Sequence, residues 1–101
     1  MANFININVC RSFNQVVTTN LTQLTAQDCT EVIVFNSGSV PVLFFDNNYT
    51  DNNNSFVIGP SATFTFRGIN DCAALSAKGV GGSALLYYRT QYYAMHVLNR
   101  T

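Results

Sequence analysis

The side chains able to do chemistry in this sequence are few and far apart. Its single histidine, His96, stands five residues before the last one. A general base needs a partner within hydrogen-bond reach and a rigid shell to hold it, and neither is visible around His96, which reads as a surface or interface histidine. Cys10, Cys29 and Cys72 are odd in number and irregular in spacing, a pattern unlike a disulfide framework or a zinc knuckle. Thiols kept reduced in a reducing compartment are the expectation. Cys72 follows an acidic residue and precedes alanines, whereas a reactive cysteine needs an electropositive setting, so it reads as a small buried hydrophobe.

Asp46, Asn48, Asp51, Asn53 and Ser55 place oxygens at nearly alternate positions, as calcium loops do. The central glycine and terminal glutamate of the helix-loop-helix pattern are missing, and Asx-rich surface turns are the commoner use of this composition. Gly79, Gly81 and Gly82 lack the lysine and hydroxyl residue of a phosphate loop and lead into a strand-like stretch; a phosphate cradle there needs a helix N-terminus. Glycosylation sequons occur at Asn20, Asn48, Asn53 and Asn99, as chance allows in a chain this rich in Asn, Ser and Thr. The start, from Met1 to Cys10, shows neither a basic segment nor an apolar stretch of signal-peptide length. No catalytic, cofactor-binding or metal-binding residue is therefore assigned, no cofactor is expected, and the expectation is a protein that is not an enzyme.

Association is the better-supported use of these residues. Tyr87 and Tyr88, like Tyr92 and Tyr93, go to opposite faces of a strand, so one face leaves tyrosines for solvent or a neighbour, and tyrosine suits interfaces because it buries a ring and keeps a polar tip. At the N-terminus Ile5, Ile7 and Val9 alternate with Asn6 and Asn8, the period of a strand or an extended arm. The tail from Ala94 to Thr101 mixes Met95, Val97 and Leu98 with His96 and Arg100. The candidate interface is Phe4, Ile5, Ile7, Tyr87, Tyr88, Tyr92, Tyr93, Met95 and Leu98. Residues 1–9 are expected as an N-terminal arm and 94–101 as a C-terminal tail on one domain spanning 1–101, attaching to neighbours or, as the alternative, folding back onto their own sandwich.

The elements that would position them are strands. Val16 to Thr19 favour β structure. Val32 to Phe35 is an apolar run expected to be covered on both faces, and after the turn residues Asn36 to Ser39 the run Val40 to Phe45 completes a predicted hairpin. Ser55 to Ile58 and Ser61 to Arg67, joined at Gly59 and Pro60, predict a second hairpin, with Ala62, Phe64 and Phe66 facing inward. Asp71 to Ala77 allows a helical turn capped by Asn70 or Asp71, or a short strand. Ser83 to Tyr93 is a long strand, apolar on both faces over Ala84 to Tyr88. The expected fold is all-β: a single antiparallel β-sandwich or jelly-roll-like domain with extended terminal arms.

Charged residues are 10% of the chain, five basic and five acidic, against about 25% in ordinary soluble domains. Nothing in that balance attracts nucleic acid, and no run approaches the length of a membrane span, so neither partner is expected. Sparse charge with 48% apolar residues favours a homo-oligomer.

From Glu31 to Tyr88 the chain resembles the small β-sandwich proteins of tailed-bacteriophage virions. The resemblance rests on an apolar strand ending in a neutral turn (Val32 to Ser39), an apolar hairpin around a Gly-Pro turn with an arginine at its end (Phe56 to Arg67), and a Gly-rich turn leading to an aromatic strand (Gly79 to Tyr88). It implies a virion structural protein, foremost a capsid decoration or cement protein and otherwise a head fibre, neck or tail component, made in the bacterial host cytoplasm and carried on the virion surface. Its partner would be the major capsid protein or another virion subunit, with a trimer favoured by the local three-fold axes of icosahedral shells. A carbohydrate-binding sandwich, in which exposed tyrosines and the Asn-rich loop hold sugars, is the alternative; the absence of Trp weakens it.

Overall fold

The computed structural model describes residues 3–47 and 55–98, with side chains over 10–47 and 55–92. It is an antiparallel sandwich of two four-stranded sheets. The strands are β1 Asn3–Val17, β2 Thr22–Gln23, β3 Glu31–Asn36, β4 Val42–Asp46, β5 Phe56–Ile58, β6 Thr63–Arg67, β7 Leu75–Gly79 and β8 Ala84–Leu98. One sheet runs β1-β8-β3-β6 and the other β2-β7-β4-β5. The pairs are nested: β1 with β8, β2 with β7, β3 with β6 and β4 with β5. That is a double-layered ribbon rolled upon itself, the jelly-roll form of the sandwich.

Alternation decides which side chains enter the core. Val32 and Val34 of β3, Val42 and Phe44 of β4, and Leu86 and Tyr88 of β8 point between the sheets with Val17, Leu24, Ile58, Leu75 and Ala77. Each large apolar side chain buried there contributes about 1.5–3 kcal/mol. The sandwich has an open side between edge strands β5 and β6. Four phenylalanines fill it: Phe44 stacks on Phe66 at 5.3 Å, Phe66 meets Phe64 at 4.8 Å, and Phe64 meets Phe56 at 4.2 Å.

Both expected hairpins are absent, because β3 and β4 lie in different sheets, and so do β5 and β6. The turn residues are real turns, but they carry the chain across the sandwich. Asn36 shows why. Its amide donates to the carbonyls of Val40 and Ile58, at 2.9 and 3.0 Å, and its side-chain oxygen accepts from the Gly38 N–H at 2.9 Å. A fully buried side chain thus satisfies the backbone of the crossing chain. Beside it Gly38 passes so close to Ala84 that a Cβ would lie 2.6 Å from that methyl. The strand Val32 to Phe35 is also covered on one face only: Val32 and Val34 are buried, while Ile33 is half-buried and Phe35 exposed, since no layer lies outside the β1-β8-β3-β6 sheet among the described residues.

Residues 71–79 realise both local readings in turn. Asp71 caps a 3-10 turn, Cys72–Ala74, by accepting from the Ala73 N–H at 2.8 Å, and β7 follows at once. The same carboxylate accepts from the Gln27 N–H at 3.0 Å, tying this turn to the β2–β3 connection. The glycines after β7 turn the chain toward β8; a Cβ on Gly79 would stand 1.9 Å from the Gly82 carbonyl oxygen.

Candidate assembly surface

The β1–β8 ladder is the longest element of the molecule, fifteen residues on each strand. Its lower part belongs to the sandwich, because β3 lines β8 from Asn36↔Leu86 to Glu31↔Gln91. There the third strand stops. The ladder continues for the pairs Asn3↔Leu98 through Val9↔Tyr92, and among the described residues no further strand pairs with that stretch. Seven residues at about 3.4 Å each carry it about 24 Å onward, which gives the molecule its long axis, 58 × 25 × 18 Å.

Burial along β8 records where the cover ends. Ala84, Leu86, Tyr88 and Thr90 alternate toward the opposing sheet, and Thr90 is 1% exposed. Tyr92, next in the same row, is 38% exposed. The ribbon therefore leaves the second sheet between these two residues while its own ladder goes on.

The structure brings the two terminal sets of expected interface residues onto this ribbon. Phe4, Ile5 and Ile7 stand opposite Val97, His96 and Ala94, and Tyr93, Met95 and Leu98 stand opposite Asn8, Asn6 and Asn3. Their side chains lie outside the described ones. The N-terminal arm and the C-terminal tail are thus two strands of one extension. Tyr88 is placed otherwise than expected. It is a core residue, packed on Phe13 at 5.6 Å, and its hydroxyl donates to Oε1 of Gln15 at 3.1 Å. Burial pushes its phenol above the ordinary value.

Tyr87 and Tyr92 are at the surface. Tyr87, 47% exposed, pairs across the ladder with Phe35, itself 37% exposed. With Ile33, Ser12 and Arg89 they line a shallow groove of about 270 Å³ on the outer face. The nearby pair Val16↔Leu85 extends the apolar area along the same face. Sequence reasoning passed over Phe35 and Val16 because it took Phe35 for a residue covered on both faces and did not place Val16 beside β8.

For chemistry the described residues offer little. They hold no group of three or more His, Cys, Asp or Glu able to share a metal ion. Most of the Asn-rich segment lies outside them, and with it most of the oxygens weighed for calcium. All three cysteines carry thiols. Cys29 and Cys72 are buried with their sulfurs 3.8 Å apart. Burial pushes both thiols up, with further help from Asp71, and that of Cys72 reaches about 12. An ion pair joins Glu31 and Arg67 across β3 and β6, at 3.1 Å.

No protein-family profile and no curated protein matches the chain. Among solved structures it is similar to a chain from work reporting that Bacillus endospore appendages form a novel family of disulfide-linked pili; the two share 13% identity over 91% of each chain, with a TM-score of 0.37. A likeness at that level carries no functional argument.

Proposed function

We propose that this protein is a non-enzymatic structural subunit that works by association, its β1–β8 ribbon held by neighbouring subunits. The observation that carries the reading is the exit of the ribbon from the sandwich between Thr90 and Tyr92. A two-stranded ribbon is marginal in water by itself, and its outer edges present backbone groups that pair readily with another chain. The sequence there alternates Ile5, Ile7 and Val9 with asparagine, which suits a partly covered sheet. The low charge and the exposed Phe35, Val16 and Tyr87 favour association by the same logic.

In its specific form the proposal is a capsid decoration or cement protein, bound to the outside of a phage head as a homo-oligomer, favoured as a trimer. It would stabilise the shell by binding the assembled state alone. Support comes from the resemblance at Val32 to Ser39 and Gly79 to Tyr88, its third feature, the Phe56 to Arg67 hairpin, being absent from the fold, and from the jelly roll, an architecture that capsid domains use. A second reading is an open-ended fibre of identical subunits, favoured by the one-sided ribbon: a contact between unlike surfaces repeats without closing unless its rotation happens to form a ring. Mixing the purified protein with capsids and imaging the product separates the two. Fixed stoichiometry on the shell supports decoration, filaments from the protein alone support the fibre, and a monomer that binds nothing overturns both.

A further inference from the structure

Cys29 and Cys72 are 43 residues apart in sequence and meet in the core with their sulfurs at 3.8 Å. The backbone brings them there by a short antiparallel contact. Asp28 pairs with Asp71 in an isolated bridge, the Cys29 N–H donates to the Asn70 carbonyl at 3.3 Å, and the Cys72 N–H donates to the Gln27 carbonyl at 3.0 Å. The two aspartates form the bridge, and the cysteines that follow them stand diagonally across it, 1% and 0% exposed. A disulfide needs sulfurs about 2.05 Å apart, so the atoms must close by just under 2 Å. For residues placed diagonally across a bridge, closing that gap takes both rotation of the thiols about their Cα–Cβ bonds and a shift of backbone. The segments bearing them join strands and belong to no continuous ladder, so their backbone is free to make that shift.

We propose that Cys29 and Cys72 are the site of an intramolecular disulfide, formed when the chain folds in the presence of a disulfide oxidant and fastening the β2–β3 connection to the 3-10 turn before β7. The thiolate of one cysteine attacks the oxidant, a small-molecule or protein disulfide, and releases one thiol from it. The thiolate of the other then attacks the resulting mixed disulfide and releases the second. Two S–H bonds and the oxidant's S–S bond are broken, one protein S–S bond is formed, and two electrons pass to the oxidant, which leaves as two thiols. Exchange requires a thiolate and access. Both are denied in the closed sandwich, where burial pushes the Cys72 thiol up to about 12, so the bond forms on the folding chain and is then protected from reduction. Linking residues this far apart restricts the unfolded ensemble strongly.

Refolding the full chain in oxidised and reduced glutathione, or in reductant alone, and then alkylating in denaturant tests this. Cleavage after Arg11, Arg67 and Lys78 puts each cysteine on its own peptide. The expected result is peptide 12–67 linked to peptide 68–78 in the oxidised sample, Cys10 outside the link, and a Tm higher by on the order of 10 °C than in the reduced sample. Cys29 and Cys72 both fully alkylated after oxidative refolding, a link that uses Cys10, or glutathione retained on Cys29 or Cys72 overturns the proposal. The Cys10→Ser variant must keep the same link and the same difference in Tm.

Discussion

The two ends of β8 lie in different worlds. At its start Ala84 and Leu86 are enclosed by Gly38, Val17 and the second sheet, next to a buried asparagine whose hydrogen bonds all go to backbone of the crossing chain. At its far end, from Tyr92 onward, the strand keeps its partner β1, and no other described strand pairs with it. One end is determined by contacts within the chain. The other is built of the same strands but stops short of a second layer, which is how a protein leaves a surface for something else to complete. On the proposed function, the enclosed end carries the stability of the fold, and the open end, with the apolar outer face, is what neighbours would cover.

That contrast can be broken most severely at the enclosed end. Gly79→Ala drives a methyl into the Gly82 carbonyl, a backbone group unable to turn aside, and should cost at least about 3 kcal/mol, read as a fall in the urea midpoint. Asn36→Ala strands the buried Ile58 carbonyl and removes the partner of the part-buried Val40 carbonyl and Gly38 N–H, and should cost about 2–3 kcal/mol, since each unsatisfied buried group costs about 1–3 and the costs do not add. Alkali sharpens the same point. The Cys72 thiol ionises near 9.0 in the unfolded chain and near 12 in the fold, so the native state holds its proton longer. Stability of the reduced protein is full below pH 9 and falls as the pH rises toward 12. Denaturation at pH 8 and 10.5 should show the loss, and Cys29→Ala with Cys72→Ala should reduce it, leaving the smaller share from Tyr88. On the outer face the effect is least: Phe35→Ser with Tyr87→Ser removes one cross-strand pair and should cost about 1 kcal/mol or less, while lowering self-association in sedimentation.

Local features of this fold were legible in the sequence and global pairing was not. That Tyr87 and Tyr88 go to opposite faces follows from period two, although which of them turns inward does not, and the sequence allowed Asn70 or Asp71 as the cap, of which the fold uses Asp71. The class of fold was readable because turn residues recur between short apolar runs. The sheet that each strand joins depends on pairs such as β1 with β8, separated by most of the chain, and a turn at Asn36 to Ser39 looks the same whether it returns within a sheet or crosses to another. For that reason both hairpins were misread. The role of Asn36 was hidden because an asparagine in a turn is ordinarily solvated, and the meeting of Cys29 with Cys72 was hidden because the bridge that aligns them joins two loops. The uncovered ribbon was legible only in part: alternation at Ile5, Ile7 and Val9 indicated a strand, but not that its partner is the chain's own C-terminal strand.

The claim that the ribbon is completed by neighbours is tested most directly by the mass in solution of the full chain and of a chain lacking residues 1–8 and 93–101. Light scattering at micromolar concentration in physiological salt, with circular dichroism to verify folding, reads both. The account predicts a multimer of the 11.1 kDa chain and a trimmed protein that is folded, β-rich and monomeric. A full-length chain that stays a soluble monomer, or a trimmed chain that remains as multimeric as the full one, would contradict it.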